Sequence, residues 1–185
     1  KVKAFKIGSG ECNNYPLVDY IASFGKPIII STGMNDISSV NKAIEILKKR
    51  KVQYAILHTT NLYPTLHSDV RLNALTELKK IFPKTVIGLS DHTGDNYTSY
   101  AAIALGASII EKHFIDKSSR KGPDISASVN TKQMSELLKG VGLIHKAMPG
   151  GIKPILKEKK TANFAFASVV SNSNIKKGET LNKNN

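Results

Sequence analysis

A single cysteine, Cys12, leaves no partner for an internal disulfide, so packing must hold the chain together and the reducing cytoplasm is the expected location. No apolar run approaches the roughly 18 residues of a membrane span. The opening Lys1-Val2-Lys3 leads into a polar segment instead of a signal-peptide core. An integral membrane protein is thereby excluded. A chain that begins with Lys rather than Met still leaves open the secretion of a longer precursor. Acidic residues are also scarce, 14 Asp and Glu against 27 Lys and Arg, for a net charge of +13. Such an excess invites a nucleic-acid reading, and its distribution decides against one. The cations cluster at Lys48-Lys49-Arg50-Lys51, at Lys79-Lys80 and from Lys146 to Lys183, which are helix ends and a tail. Few of these clusters carry interleaved aromatics for base stacking, and lysines in a last helical turn complement the negative end of its dipole. A lysine-rich solvated surface is expected, with no nucleic-acid partner, and the same field would favour an anionic small-molecule substrate.

What the chain does contain is one domain's worth of core: 185 residues, 41% of them apolar, can bury roughly 70% of the unfolded surface. Five short β-branched runs stand out, at 4–9, 27–31, 54–59, 85–90 and 108–114. Helical periodicity fills the gaps. Ile37, Val40, Ile44 and Leu47 share one face behind a capping Asp36, and Val70, Ala74, Leu78 and Ile81 define another. Gly106 follows the small, apolar 97–105 stretch as a C-terminal cap would. Near-continuous apolar strands alternating with helices predict a parallel sheet covered by helices, an α/β fold. No G-x-G-x-x-G follows any strand, and polar residues recur at every strand's C-terminal end: Lys6 and Ser9, Ser31, Thr59 to Asn61, Ser90 to His92, Glu111 to His113. An open sheet gathers ligand groups at one switch point, whereas a (β/α)8 TIM barrel draws them from many strand ends into one mouth. The barrel is the expected architecture, with about five βα units present and three expected upstream. After Gly150 the pattern breaks. Lys157-Glu158-Lys159-Lys160 reads as a charged connector, the apolar run Phe164 to Val170 as a candidate strand, and Ile175 to Glu179 as a turn.

Three groups of residues could carry chemistry. His92 and His113 each end a strand, and two neutral imidazoles on neighbouring strands could share a divalent transition metal and leave positions open for water and substrate. Chance could also place two histidines there. His58 has a competing role as a core histidine, and His67 and His145 read as surface residues. Lys6, between apolar neighbours, points its ammonium into the interior, where it needs an anionic ligand or a salt bridge to Glu11 or Glu111. Ser31, Asn61 and Ser90 end successive strands, and donors converging with one lysine suit a phosphate or carboxylate. Glu11, Tyr63 and Asp124 lie in loops after strands and could bind sugar hydroxyls, as many loop residues could. Cys12 reads as a small buried thiol rather than a nucleophile. A Schiff-base aldolase using Lys6 or Lys112 is the competing enzyme class, and a basic binding module the non-enzymatic one.

Specific strings narrow this field. Lys6-Ile7-Gly8-Ser9-Gly10-Glu11-Cys12-Asn13-Asn14-Tyr15-Pro16-Leu17, Ser31-Thr32-Gly33-Met34, Thr60-Asn61-Leu62-Tyr63-Pro64, Ile87-Gly88-Leu89-Ser90-Asp91-His92-Thr93, Ala104-Leu105-Gly106-Ala107-Ser108 and Gly122-Pro123-Asp124 follow one another in order. Together they closely resemble the bacterial sialic acid synthase (N-acetylneuraminate synthase) family. The resemblance implies residues 1–149 as the C-terminal portion of a synthase barrel, 150–163 as a linker and 164–185 as the start of an antifreeze-like (SAF) domain. It implies condensation of phosphoenolpyruvate with N-acetylmannosamine and release of phosphate, a transferase reaction, with Mn²⁺ as the expected metal and Mg²⁺ or Co²⁺ as substitutes. Glu11, His92 and His113 match catalytic positions, the two histidines also holding the metal. Lys6, Ser31, Asn61 and Ser90 match phosphoenolpyruvate contacts, and Glu11, Tyr63 and Asp124 match positions facing the amino sugar. Relatives with the same barrel make legionaminic or pseudaminic acid. The family's domain-swapped homodimer is expected of the full-length protein, and the segment alone is expected to be inactive.

Overall fold

The computed structural model describes residues 2–117 and 119–183. Its elements run β1 (Phe5–Ile7), α1 (Tyr15–Ala22), β2 (Ile28–Ser31), α2 (Ile37–Lys49), β3 (Tyr54–Thr59), α3 (Asn73–Ile81), β4 (Val86–Asp91), α4 (Tyr97–Ala104), β5 (Ile109–Lys112), α5 (Thr131–Ala147) and α6 (Lys159–Ala165). The strands are all parallel and lie in sequence order, β1-β2-β3-β4-β5. Because the order never reverses there is no switch point, and right-handed crossovers then place every covering helix on the same face. That is the winding of a barrel wall, and these five strands form a curled half-barrel. Among the described residues no helix is long and apolar enough to cross a membrane. The chain divides into two compact units, Lys1–Pro149 and Gly150–Asn185.

Strand alternation sorts the side chains into two faces. Outward, toward the helices, Ile7, Ile28, Ile30, Ile56, Ile87 and Leu89 pack with Val18, Val40, Ile44, Leu47, Leu75 and Leu78 into one core. Each fully buried aliphatic chain of this kind contributes about 1.5–3 kcal/mol. Inward, Lys6, Ser31, Ser90 and Glu111 face the mouth. Gly88 is glycine because a Cβ there would lie 2.5 Å from both the Ile109 carbonyl oxygen and Leu57 Cδ2.

Local signals behave as their chemistry demands, with three differences. Asp36 Oδ1 accepts from Ser39 N–H at 2.7 Å and caps α2, and Gly106, at φ +85°, ends α4 with its N–H on the Ile103 carbonyl. The buried face of α2 is Val40, Ala43, Ile44 and Leu47, with Ile37 exposed. Helix α3 is rotated relative to the expected face. It buries Leu75 and Leu78 ahead of Phe82, Val70 is buried but precedes the helix, and Ile81 is 47% exposed. The left-handed Arg71, at φ +54°, breaks the run between Val70 and α3, so the two sides of the break do not share one helical phase. The run Phe164 to Val170 is not a strand. Its first residues finish α6, the rest is irregular and exposed, and it has no ladder partner among the described residues. The second unit also holds the expected turn, where Glu179 N–H bonds to the Lys176 carbonyl at 3.0 Å.

Candidate functional site

The mouth is built from strand ends whose inner-face side chains touch. Lys6 on β1 donates to Ser31 Oγ on β2 at 2.9 Å and lies 3.4 Å from Glu111 Oε1 on β5. Ser90 on β4 donates to the same Glu111 oxygen at 2.7 Å, and its Oγ lies 3.5 Å from His92 Nε2. A polar network therefore spans the half-barrel from β1 to β5, with Glu111 as the bridge. Of the two anions considered for Lys6, Glu111 is the partner in this structure. Lys6 keeps about a third of its side chain exposed toward the mouth, so an incoming anion can reach it.

The two histidines are brought together. Their ring centroids are 5.2 Å apart at 76°. His92 Nδ1 lies 2.8 Å from the Thr60 carbonyl oxygen, which can only accept, so Nδ1 carries the proton and Nε2 keeps its lone pair. Burial pushes the His92 pKa below the usual imidazole value, and nearby His113 adds to this, against the opposing pull of the Thr60 carbonyl. Tyr63 stacks on His92 with centroids 4.2 Å apart and meets His113 edge-on at 5.5 Å. Burial, helped by the Asp124 and Glu111 charges, raises the Tyr63 phenol pKa, which keeps it a neutral hydrogen-bonding group. Asp124 Oδ2 stands 3.6 Å from His113 Nδ1.

A neutral imidazole with its second nitrogen tied to a carbonyl is the arrangement in which histidine binds metals. His92 has that arrangement, and the His113 ring beside it makes the pair a candidate for holding a divalent ion. Among the described residues no group of three or more His, Cys, Asp or Glu side chains is arranged to hold one.

The remaining expected residues are less connected. Asn61 sits beside Gly33, where a Cβ would fall 1.9 Å from Asn61 Oδ1 and 2.8 Å from Ser9 Oγ. That Oδ1 is buried without a hydrogen-bond partner, leaving amide capacity for a ligand. Glu11 is exposed in the turn after β1, and its hydrogen bond goes to Asn14 at 2.8 Å; the structure does not bring it to the histidines. His58 is a core residue bonded to the Val70 carbonyl, while His67 and His145 are exposed. Cys12 is fully buried, and burial pushes its thiol up to about 11.

Lys112, once a candidate Schiff-base nucleophile, is on the opposite face. Its ammonium is 3.0 Å from Asp91 Oδ2, with side-chain exposures of 2% and 0%. Sealed against the helices, it cannot reach a carbonyl in the mouth. One contributor escaped the sequence reading: Thr60, whose carbonyl orients His92. A backbone carbonyl leaves no trace in composition. Glu111 was signalled by parity, since it shares a strand face with His113 two residues on and pairs in register with Ser90.

Residues 1–153 match the NeuB family. The chain is 40% identical over its whole length to N,N'-diacetyllegionaminic acid synthase of Campylobacter jejuni, of which it covers 56%. It is 34% identical over 97% of its length to human N-acetylneuraminate-9-phosphate synthase, of which it covers 50%. Among solved structures, the sialic acid synthetase of Leptospira borgpetersenii, determined with citrate, superposes with a TM-score of 0.82 at 30% identity, covering 88% of this chain and 57% of that one. The chain spans about half the length of the curated relatives it matches. On the match over residues 1–153, and on a barrel wall shared with that synthetase, the chain belongs to the NeuB family.

Proposed function

We propose that this chain forms the phosphoenolpyruvate-binding part of a sugar-acid synthase, which joins C3 of phosphoenolpyruvate to the aldehyde carbon of N-acetylmannosamine and yields N-acetylneuraminate and phosphate. The observation that carries the reading is the inner-face network Ser31–Lys6–Glu111–Ser90 running up to the His92–His113 pair. Lys6 supplies the positive charge for a phosphate or carboxylate, and the Ser31 hydroxyl and the Asn61 amide N–H supply neutral donors beside it, joined by the Ser90 hydroxyl once it turns from Glu111. An anion arriving at Lys6 replaces Glu111 as its partner, leaving the Glu111 carboxylate free to accept a proton from the water that adds at C2. The new C–C bond takes its electron pair from the C2=C3 double bond while the aldehyde C=O pair moves onto its oxygen, which is protonated to a hydroxyl; water adds at C2, and the C2–O bond to phosphate then breaks with its pair leaving on phosphate as the C2 hydroxyl gives up its proton to become the ketone. Tyr63, Asp124 and, from the loop after β1, Glu11 are the proposed contacts to the amino sugar. A divalent ion such as Mn²⁺ held by His92 and His113 would supply Lewis-acid polarisation of the aldehyde oxygen.

A second reading, synthesis of N,N'-diacetyllegionaminic acid from its own acceptor sugar, is favoured by the 40% identity to the C. jejuni enzyme of that name. Phosphate release by the full-length protein, with phosphoenolpyruvate and each sugar in turn and with or without a chelator, tests the reading. Turnover with one sugar that is lost on chelation supports it. No phosphate with any 2-acetamido sugar, or a rate indifferent to chelation, overturns the reaction or the metal respectively. The full-length protein is proposed to be a homodimer, which light scattering would measure directly.

A further inference from the structure

Strands β4 and β5 pair through the backbone as far as Asp91 opposite Lys112. His92 and His113 each follow by one residue, so the ladder that aligns the strands ends just before the imidazoles. Their own carbonyls are tied to separate loops, His92 to Thr65 N–H at 3.0 Å and His113 to Val129 N–H at 2.9 Å. What crosses between the strand ends at this level is the Lys112 ammonium. It lies 3.0 Å from Asp91 Oδ2, and it donates to the Thr93 carbonyl at 2.7 Å and to Thr93 Oγ1 at 3.0 Å. The residue before His113 thereby holds both residues that flank His92. Asp91 is saturated in turn: Oδ1 accepts from the Thr93 N–H and hydroxyl, and Oδ2 accepts from the Thr98 and Ser99 hydroxyls.

We propose that the Asp91–Lys112 pair is a positioning clamp that sets the spacing and orientation of the His92 and His113 imidazoles from the far side of the sheet. The inference rests on the metal-holding role proposed for those imidazoles. Side chains alternate along a strand, so an anchor sealed against the helices at one residue fixes the next residue's approach to the mouth without occupying it. Stability alone is a poor reason for such a pair. Two charges withdrawn from water gain little over a well-packed apolar replacement, whereas groups that orient metal ligands typically govern 10–100-fold in metal affinity.

The test uses the full-length protein and three measurements: Mn²⁺ binding by electron paramagnetic resonance, the visible spectrum of the Co²⁺ form, and thermal unfolding of the metal-free protein. Lys112→Met is expected to bind Mn²⁺ about 10–100-fold more weakly and to shift the Co²⁺ bands at temperatures where it is fully folded. Because this variant strands the Asp91 charge and could unfold, Asp91→Asn/Lys112→Met is made beside it. Neutralising both partners is expected to recover much of the thermal stability while the metal affinity stays low. Wild-type affinity and an unshifted spectrum in either folded variant overturn the clamp. So does an affinity that recovers in step with stability in the double variant, which is the signature of a merely structural pair. If the wild type binds no Mn²⁺, or His92→Ala binds it as the wild type does, the metal reading fails first and the clamp with it.

Discussion

Gly33→Ala separates the mouth's geometry from its stability. The added methyl would sit 1.9 Å from Asn61 Oδ1 and 2.8 Å from Ser9 Oγ, both side-chain atoms, where real Cβ contacts essentially never fall below 3.0 Å. Asn61 must therefore retreat by at least about 1.1 Å. Asn61 is a partly exposed residue and its Oδ1 has no internal partner to lose, so the retreat falls at the low end of overpacking costs, about 1 kcal/mol. For a group that contacts substrate, a displacement of that size is worth up to about 100-fold in kcat/KM, or about 2.7 kcal/mol. The assay is steady-state phosphate release by the full-length protein, with unfolding followed by circular dichroism. Gly8→Ala is the control, because its Cβ would meet nothing within 4 Å and its φ of −70° suits any residue. A Gly33→Ala enzyme with wild-type kcat/KM for phosphoenolpyruvate would refute the placement of Asn61 at the substrate.

Four further outcomes follow from the same geometry. Lys6→Met should raise the KM for phosphoenolpyruvate far more than it changes melting temperature, since it removes the mouth's cation while keeping its stem; equal KM values would remove Lys6 from the site. Leu75→Ala, at a fully buried core position, should cost about 2–5 kcal/mol in denaturant unfolding. Burial holds the His58 imidazole below its ordinary pKa, only partly offset by its bond to the Val70 carbonyl. Below about pH 6.5 the unfolded chain therefore takes up a proton that the folded one refuses, and stability present in full above that pH declines as pH falls. His58→Gln should make that decline shallower, and an unchanged slope would deny His58 the role. Cys12, with its thiol pushed up to about 11, should hold only about a thousandth of its thiolate at pH 8. It should resist a disulfide reagent until denaturant is added, and prompt labelling of the native protein would contradict its burial.

The strand-helix alternation was legible because its period is a property of neighbouring residues. The β-branched runs mark all five strands to within two residues at each end, and Asp36 and Gly106 announce their caps by residue type alone. The α3 face was misjudged because Arg71 adopts a left-handed conformation that hydrophobic spacing does not encode. The run from Phe164 was misjudged because β-propensity needs a partner strand to express itself. At the site, the strand-end polar residues were readable one strand at a time. That Lys6 and Ser90 meet over Glu111, and that Lys112 turns away to pair with Asp91, depends on which face each strand end presents and on the register of β4 against β5.

By itself the chain's order of residues settled the local choices: which segments extend, which coil, and which ends carry hydroxyl, imidazole or ammonium groups. Those follow from dihedral preference and short-range periodicity. Only the tertiary structure decided which of these groups share a mouth and which are sealed behind the wall, with His92 and His113 inside and Asp91 and Lys112 outside. Alternation reverses with every residue, and curvature brings β1 within reach of β5 across more than a hundred residues of chain. No window of sequence contains that distance.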